Sequence, residues 1–263
     1  MCGIFGGIGK HINSGVIRAL ALANRERGTD SLGFFTPKAH IKRAGDPLEV
    51  LADCDVAEFL DGACRKSWFV AGHTRAATRG SVIDKNAHPF KFGRIIGAHN
   101  GIVVAPKEYP VDSMYLFDAL NKAGGDYQKA LADISGYWAL SWFDGESFYL
   151  QSYRNEIAIG CDDRGTWYYS SDWTHLDACV HITSAMQLLS NGDTIRFNIK
   201  SRKFEKLPNF VATPTAPKRK KRKHSAIVEL TDESVNTDPF YYDENADKWR
   251  GVDEWAEYAK EYD

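Results

Sequence analysis

Short apolar runs recur along about the first 200 residues of the chain, and only a few helical segments lie between them. The run at residues 2–9 is interrupted by glycines, a pattern typical of a strand that another backbone or a ligand approaches closely. An Asp-Gly pair separates the runs at 137–143 and 147–151, which predicts a β-hairpin. Further apolar runs predict strands at 68–72, 94–98, 166–170, 193–198 and near Lys203.

Helices are predicted where a capping residue precedes an apolar spacing of three or four residues. Ser14 is expected to cap the first helix, which Gly28 ends; another begins at Asp112 or Ser113, and a third covers 127–134. The strands come in blocks and not in regular βαβ alternation. This order favours an α+β fold in which antiparallel sheets stack and helices cover them.

Composition excludes several other classes of protein. Hydrophobic residues make up 43% of the chain and charged residues 26%, as is ordinary for a globular domain. No apolar run approaches the ~18 residues of a membrane span, and the first residues lack the basic start and long apolar run of a secretory signal. Membrane, collagen-like and wholly disordered classes are therefore excluded.

The net charge of −2 conceals a strong asymmetry. The run from Lys218 to Lys223 carries six basic and no acidic residues, whereas 226–263 carries twelve acidic and three basic residues, a net of −9, which leaves 1–216 at +1. The pattern of strands and helices ends near Leu207, where prolines lead into the basic run. We therefore predict a domain at 1–207, a Pro-rich and basic linker at 208–225, and an acidic, aromatic tail at 226–263.

The cysteines indicate a reducing environment. There are five of them, an odd number without a secretory signal, so we expect the protein in the cytoplasm. None has the Cys-x-x-Cys or Cys/His spacing of a zinc site, so neither a metal nor a cofactor is expected. All but the first are interpreted as small buried hydrophobic residues: Cys54, Cys64, Cys161 and Cys179.

Cys2 differs from the other cysteines in its position. If Met1 is removed, Cys2 carries a thiol and a free α-amine on one residue. Such an amine, with a reference pKa near 7.7–8.0, can act as a general base at neutral pH, and a thiol needs little activation to attack a carbonyl carbon. Taken alone, a cysteine that happens to stand second in the chain is the more economical interpretation.

Three further clusters have the residue types that such a nucleophile needs. Arg75 ends an apolar run and can clamp a carboxylate through two hydrogen bonds, although a surface ion pair is the usual role of an arginine. Asn100 and Gly101 offer a side-chain amide and a backbone N–H as oxyanion donors, although Asn-Gly is also a common turn. Asp112 stands at a predicted helix start, where it can cap the helix or bind a substrate amine.

Taken together, the sequence resembles the class II glutamine amidotransferase domain, an N-terminal-nucleophile hydrolase. The resemblance extends to about residue 198 through Ser135-Gly136-Tyr137-Trp138-Ala139-Leu140, Arg154-Asn155, Ser171-Asp172 and Asn191-Gly192-Asp193. The main motifs occur in the family's order: Cys2-Gly3-Ile4-Phe5-Gly6, Arg27-Gly28-Thr29-Asp30-Ser31-Leu32-Gly33, Gly72-His73-Thr74-Arg75-Ala76-Ala77-Thr78, Asn86-Ala87-His88-Pro89-Phe90 and His99-Asn100-Gly101.

This resemblance implies a four-layer αββα sandwich of two antiparallel sheets and hydrolysis of the glutamine side-chain amide to glutamate and ammonia. It implies Cys2 as the nucleophile, with its freed α-amine as the base, and Asn100 and Gly101 as the oxyanion hole. Arg75 would hold the α-carboxylate of L-glutamine and Asp112 its α-amine. By the same match, Arg27 would position the catalytic end, and two residues would line or support the pocket: Thr78 and His88.

The chain departs from the family's pattern at three points. Ala76 follows the clamp arginine where many members have tryptophan, so the cover over glutamine is expected to close differently. The interval between Gly101 and Asp112 is short, which leaves Asp118 as an alternative to Asp112. Met1 precedes the nucleophile and would block its amine if it were retained.

In the family, ammonia usually passes to a synthetase or transferase domain that follows the glutaminase. Roughly 65 residues remain here, too few for such a domain. We therefore expect a stand-alone amidotransferase that supplies ammonia to a separate synthase subunit. The alternative function is an amidohydrolase of the same fold with another substrate, or a non-catalytic partner-binding subunit.

The last quarter of the chain has several interpretations. The acidic, aromatic tail could dock a partner or pack on its own body. The basic run from Lys218 to Lys223 could be a solvated linker, contact nucleic-acid phosphates, act as a nuclear-import signal or pair with the tail.

Overall fold

The computed structural model describes residues 1–184 and 186–211, together with the backbone of two short strands at 241–243 and 248–250. The basic run and most of the acidic tail lie outside the described residues, so their predicted roles stay predictions. Contacts divide the chain into two units, Met1–Ala216 and Pro217–Asp263. In the second unit, the two short strands pair antiparallel.

The elements alternate irregularly along the chain. The strands are β1 Gly3–Ile8, β2 Ser31–Phe35, β3 His40–Ala44, β4 Phe69–Arg75, β5 Phe90–Phe92, β6 Ile95–Val103, β7 Gly136–Phe143, β8 Ser147–Tyr153, β9 Ala158–Cys161, β10 Trp167–Ser170, β11 Gln187–Leu188, β12 Thr194–Asn198, β13 Lys203–Leu207, β14 Tyr241–Asp243 and β15 Lys248–Arg250. The helices are α1 Ser14–Ala23, α2 Pro47–Ala52, α3 Cys54–Lys66, α4 Asp112–Lys122, α5 Tyr127–Ala132 and α6 Trp173–Cys179.

The first unit contains two antiparallel sheets. One has seven strands in the order β11-β9-β10-β1-β4-β2-β3, and the other has six in the order β13-β12-β8-β7-β6-β5. One apolar cluster, which includes Phe69 and Phe148, fills the space between the sheets. A second joins α1, α2, α3 and α6 to the larger sheet, and a third joins α4 and α5 to the smaller one. The predicted four-layer αββα sandwich is confirmed.

Glycine explains how β1 lies at the centre of the larger sheet. β1 pairs with β10 on one side and β4 on the other. A Cβ on Gly6 would lie 2.7 Å from the Tyr169 ring and would collide with the Val70 carbonyl oxygen. Close approach of neighbouring chains therefore requires glycine here, as the sequence pattern predicts. Because Gly3 pairs with Thr74, residue 2 lies beside the end of β4.

Two details of α1 differ from the prediction. Asn13, and not Ser14, caps this helix, since its side chain accepts a hydrogen bond of 2.8 Å from the Gly15 backbone N–H. An Asn side chain competes well with Ser at this position. The α-helix ends at Ala23, and a 3₁₀ turn at Asn24–Arg27 then continues to Gly28.

The cysteine interpretation is correct in part. Cys64 is buried and packs in the helical layer over the larger sheet. Cys161 and Cys179 are half-buried. Cys54 is exposed at the first turn of α3, so its interpretation as a buried residue is wrong. Within the described residues, no helix has the length and apolar character needed to cross a bilayer.

The packed chain continues three residues past Leu207. The Phe210 N–H donates to the Gly192 carbonyl oxygen at 2.7 Å. The Phe210 ring is 4% exposed and packs against Trp138 and Tyr153, with centroid separations of 5.6 and 5.1 Å. These contacts fasten the segment that follows β13 to the smaller sheet.

We expect Phe210→Ala to lower the free energy of unfolding by about 3 kcal/mol, because it empties a packed aromatic site. Val211→Ala is the matched control, since Val211 is 80% exposed, and should change stability by less than about 0.5 kcal/mol. Urea unfolding followed by circular dichroism measures both. Equal stability of the two variants would contradict a packed role for the chain beyond residue 207.

Candidate active site

Cys2 lies at the entrance to β1, half-buried, with its side chain against the loop that follows β4. Its thiol donates to the Ala76 carbonyl oxygen at 3.6 Å. Burial raises the pKa of the Cys2 thiol; the Ala76 hydrogen bond, the N-terminal charge and Arg75 oppose this rise, and Asp112 adds to it. The thiol is therefore held in its protonated form at neutral pH and needs a base before it can attack.

Arg27 holds the backbone of Cys2. Its Nε donates to the Cys2 carbonyl oxygen at 2.9 Å, and its Nη1 forms an ion pair of 2.9 Å with Asp172. Asp172 is itself fixed as the N-cap of α6, where it accepts from the Thr174 N–H at 3.0 Å. The ion pair with Asp172 thus orients Arg27 toward the carbonyl of Cys2, and Arg27 in turn fixes the backbone of Cys2.

Arg75 is a buried cation. It ends β4 and is 3% exposed. Its guanidinium donates to two backbone carbonyl oxygens, those of Arg79 at 2.6 Å and Ser81 at 3.3 Å. Burial lowers the pKa of Arg75, and Cys2, Asp30 and Asp112 oppose this effect electrostatically, although no carboxylate among the described residues lies within ion-pair distance of the guanidinium. A buried guanidinium in this state is suited to bind the carboxylate of a ligand.

Asn100 and Gly101 lie together on β6, opposite Ala139 and Trp138 of β7. Asn100 is 2% exposed, and its Nδ2 is buried without a hydrogen-bond partner among the described residues. Its carbonyl oxygen accepts from Asn155 Nδ2 at 2.9 Å. An unpaired buried amide donor beside a glycine has the composition of an oxyanion hole.

Gly101 is required by its surroundings. Its φ is +152°, and a Cβ there would lie 2.8 Å from His99 Nε2 and would collide with the Tyr137 carbonyl oxygen. Any other residue would displace β6 from β7 at this point. The strand therefore presents only backbone at this position, beside the side chain of Asn100.

Asp112 is the first residue of α4, and its carboxylate faces back to β6. It accepts from the Val103 N–H at 3.1 Å and from the Ser113 N–H at 2.9 Å. Asp112 acts electrostatically on both Cys2 and Arg75. Asp118, the alternative, instead binds Tyr109 Oη at 2.5 Å and Lys122 Nζ at 2.7 Å. The geometry therefore favours Asp112 over Asp118.

Thr78 and His88 occupy different environments. Thr78 is exposed on the loop after β4. His88 is 2% exposed, and both ring nitrogens are inaccessible to solvent and without hydrogen-bond partners in the described chain. Lys42 Nζ holds the segment on either side of it by donating to the Ala87 and Pro89 carbonyl oxygens at 2.8 and 3.1 Å. In this position His88 can support the site from behind.

A cluster of buried histidines lies behind the site and was not singled out as a group in the sequence. The ring centroids of His73 and His88 are 3.8 Å apart, and His73 Nε2 lies 3.1 Å from the His99 carbonyl oxygen. Burial lowers the pKa of all three, for His73 to about 3. The signal was present, because His73 and His99 stand in the two motifs that carry Arg75 and Asn100.

The loop after Arg75 is fastened at two further points. Asp30 accepts from the Ala77 N–H at 2.6 Å. Arg79 donates to the carbonyl oxygens of Ala105 and Pro106 at 3.4 and 3.1 Å.

In the described part of the chain, no group of three or more His, Cys, Asp or Glu side chains is arranged to hold a metal ion.

Comparison with known proteins supports the resemblance. The chain is 29% identical over 260 residues to glutamine–fructose-6-phosphate aminotransferase (isomerizing) of Bradyrhizobium diazoefficiens, covering 89% of this chain and 40% of that protein. It is 38% identical over 108 residues to the same-named protein of Gluconobacter oxydans, covering 17% of that protein. The chain thus spans less than half the length of these relatives. No profile of a protein family matches it.

Solved structures agree with the fold. The Bacillus subtilis glutamine phosphoribosylpyrophosphate amidotransferase superposes with a TM-score of 0.64 at 16% identity, over 81% of this chain and 50% of that one. A glutamine aminotransferase class-II domain protein from Silicibacter pomeroyi superposes with a TM-score of 0.51, over 80% of this chain and all of that one. By sequence and by fold, the chain is similar to the class II glutamine amidotransferase domain.

The buried histidines should make the protein less stable in mild acid. A histidine in an unfolded chain has a pKa of about 6.5, whereas that of His73 is lowered to about 3 in the folded protein. The stability that neutral His73 contributes to the folded protein is fully present above pH 6.5. It is lost as the pH falls from 6.5 toward 3, because the unfolded chain binds the proton more strongly. We expect His73 alone to lower the free energy of unfolding by about 1 kcal/mol when the pH falls from 7.5 to 5.5.

Urea unfolding at the two pH values measures this loss. His73→Gln should reduce the difference in unfolding free energy by about 1 kcal/mol. His11→Gln, which replaces an exposed histidine, should leave the difference unchanged. If the difference in unfolding free energy between the two pH values were as large in His73→Gln as in the wild type, the lowered pKa of His73 would be contradicted.

Proposed function

We propose that this chain is a glutamine amidotransferase that hydrolyses the side-chain amide of L-glutamine through a thioester on Cys2. The observation that carries the proposal is Arg75, a buried guanidinium whose hydrogen-bond partners among the described residues are backbone carbonyls, and which lies within electrostatic range of Cys2 and Asp112. A free amino acid supplies one carboxylate and one ammonium group. Arg75 and Asp112 supply the two opposite charges.

Substrate orientation follows from these charges. The α-carboxylate of glutamine binds Arg75 through charge-assisted hydrogen bonds, and its α-ammonium group binds Asp112. With both ends of the amino acid fixed, the side-chain amide extends to the thiol of Cys2. Thr78 lines the mouth from its exposed loop, and His88 supports the wall from its buried position.

The proposed reaction begins with removal of Met1, because an acylated nitrogen on Cys2 cannot accept a proton. The freed α-amine takes the thiol proton through a water molecule, and sulfur attacks the amide carbon. Asn100 Nδ2 and the Gly101 N–H stabilise the oxyanion. Collapse breaks the C–N bond, the amine returns the proton to the leaving nitrogen, and ammonia departs. Water then hydrolyses the thioester to glutamate.

The raised pKa of the Cys2 thiol is consistent with this order of events. A buried thiol that stays protonated needs the adjacent amine, and Arg27 fixes the Cys2 carbonyl so that the new N-terminus has one orientation. Ammonia would pass to an acceptor enzyme, which we expect to be a separate synthase subunit. Contact of Lys218 to Lys223 with nucleic acid remains a prediction from the sequence.

Cys2→Ala should abolish glutamate release from glutamine, and 6-diazo-5-oxonorleucine should label the wild-type protein and not the variant. Mass spectrometry measures the label and the loss of Met1 together. Cys54→Ala is the matched control, because Cys54 is exposed on α3, and should keep both properties. If protein that lacks Met1 shows neither turnover nor label, the alternative of a non-catalytic or different amidohydrolase subunit is favoured.

Asp112→Asn should raise the KM for glutamine about 10- to 100-fold, the loss expected for a charged hydrogen bond. Asp118→Asn makes the same chemical change six positions along α4 and should leave the KM within about twofold. Steady-state glutamate release measures both. The reverse result would assign the amine-binding role to Asp118.

A further inference from the structure

We propose that His99 is a positioning residue that couples the oxyanion side of the site to Asp112 through Ser113, and so sets the preference for substrates that carry an α-amino group. This inference rests on the proposed glutaminase function. It assigns a role to two buried residues, His99 and Ser113, that the proposed reaction itself does not use.

The imidazole of His99 contacts α4 through one nitrogen. His99 Nδ1 lies 2.8 Å from Ser113 Oγ, and both residues are 2% exposed. A buried hydrogen bond of this length fixes the first turn of α4 against β6. Since Ser113 directly follows Asp112, the position of the carboxylate depends on this contact.

The opposite side of the same ring contacts Gly101. His99 Nε2 lies so close to Gly101 that a Cβ there would be 2.8 Å from it. The ring therefore fills the space between the predicted oxyanion glycine and the hydroxyl of Ser113. One rigid, planar group thus sets the separation of the two parts of the site.

Asp112 has a second attachment to the same strand. Asp112 Oδ2 accepts from the Val103 N–H at 3.1 Å, and Asp112 Oδ1 accepts from the Ser113 N–H at 2.9 Å. If the Ser113 hydroxyl is lost, the Val103 contact still keeps α4 near β6. Asp112 would then lose alignment without loss of the fold, which makes the proposal testable.

A further contact extends the coupling to the other sheet. His73 Nε2 lies 3.1 Å from the His99 carbonyl oxygen, and a carbonyl can only accept, so His73 carries its proton on Nε2. His73 lies two residues before Arg75 on β4. The chain of contacts His73, His99, Ser113 therefore connects the carboxylate-binding strand with the amine-binding helix.

The test compares two substrates that differ only in the α-amino group: glutamine and glutaramate (4-carbamoylbutanoate). In Ser113→Ala we expect kcat/KM for glutamine to fall about 3- to 10-fold, the range for one buried hydrogen bond. The value for glutaramate should stay within about twofold of wild type, because glutaramate makes no use of Asp112. The ratio of the two values is the readout, and a general loss of structure does not change it.

Ser141→Ala is the matched control. Ser141 is 0% exposed and lies on β7, the strand that pairs with the strand of His99; its partner in register is Ala98. It should leave the ratio at the wild-type value. Ser113→Cys, which keeps the size of the side chain but weakens its hydrogen bond, should shift the ratio in the same direction and provides the test if Ser113→Ala does not fold.

His99→Asn separates the two sides of the ring. This variant should lower kcat/KM for both substrates, because it removes support from Gly101 as well as from Ser113. An unchanged ratio in folded Ser113→Ala, or the same shift in Ser141→Ala, would overturn the coupling while leaving the glutaminase function intact. A wild-type protein, free of Met1, that hydrolyses neither substrate would overturn the proposed function and the coupling with it.

Discussion

The antiparallel pairing of β1 with β4 determines where Cys2 and Arg75 lie relative to each other. Gly3 opposite Thr74 sets residue 2 beside the last residues of β4, so Cys2 and Arg75 are close because of register and not because of a specific contact between them. A shift of one residue would turn every side chain of β1 to the other face of the sheet. The collision that a Cβ on Gly6 would cause with β4 shows how tightly this register is packed.

The positive charge of Arg75 is buried at this point, and the surrounding residues compensate for the loss of its hydration only in part. Burial disfavours its charge, while the Arg79 and Ser81 carbonyl oxygens, Asp30 and Asp112 favour it. Carbonyl dipoles stabilise a guanidinium less than a carboxylate does. The buried thiol of Cys2 adds no counter-charge while it stays protonated. A zwitterionic ligand, such as the proposed substrate, would balance the charges of both Arg75 and Asp112.

Local signals in the sequence predicted the antiparallel sheets with covering helices, and the family resemblance implied their four-layer arrangement. The hairpin at Asp144-Gly145, the strand at residues 2–9 and the helix from Asp112 have such signals and are present. β2, β3, α2 and α3 were not predicted; β2 and β3 complete the larger sheet and α2 and α3 cover it, so their formation depends on residues elsewhere in the chain. Phe210 was missed for the same reason, since its partners are far along the chain.

The buried histidines connect the two sheets through contacts that a sequence motif does not specify. His73 and His99 each stand within a motif, yet their mutual contact crosses from one sheet to the other and depends on how the layers stack. Functional groups on two sheets can hold a fixed geometry only if something rigid connects the sheets. Apolar packing between them is not directional, whereas the hydrogen bonds of His73 and His99 have defined partners and lengths. The sheet that carries Cys2 and the strand that carries Asn100 are thus aligned by polar contacts buried beneath the site.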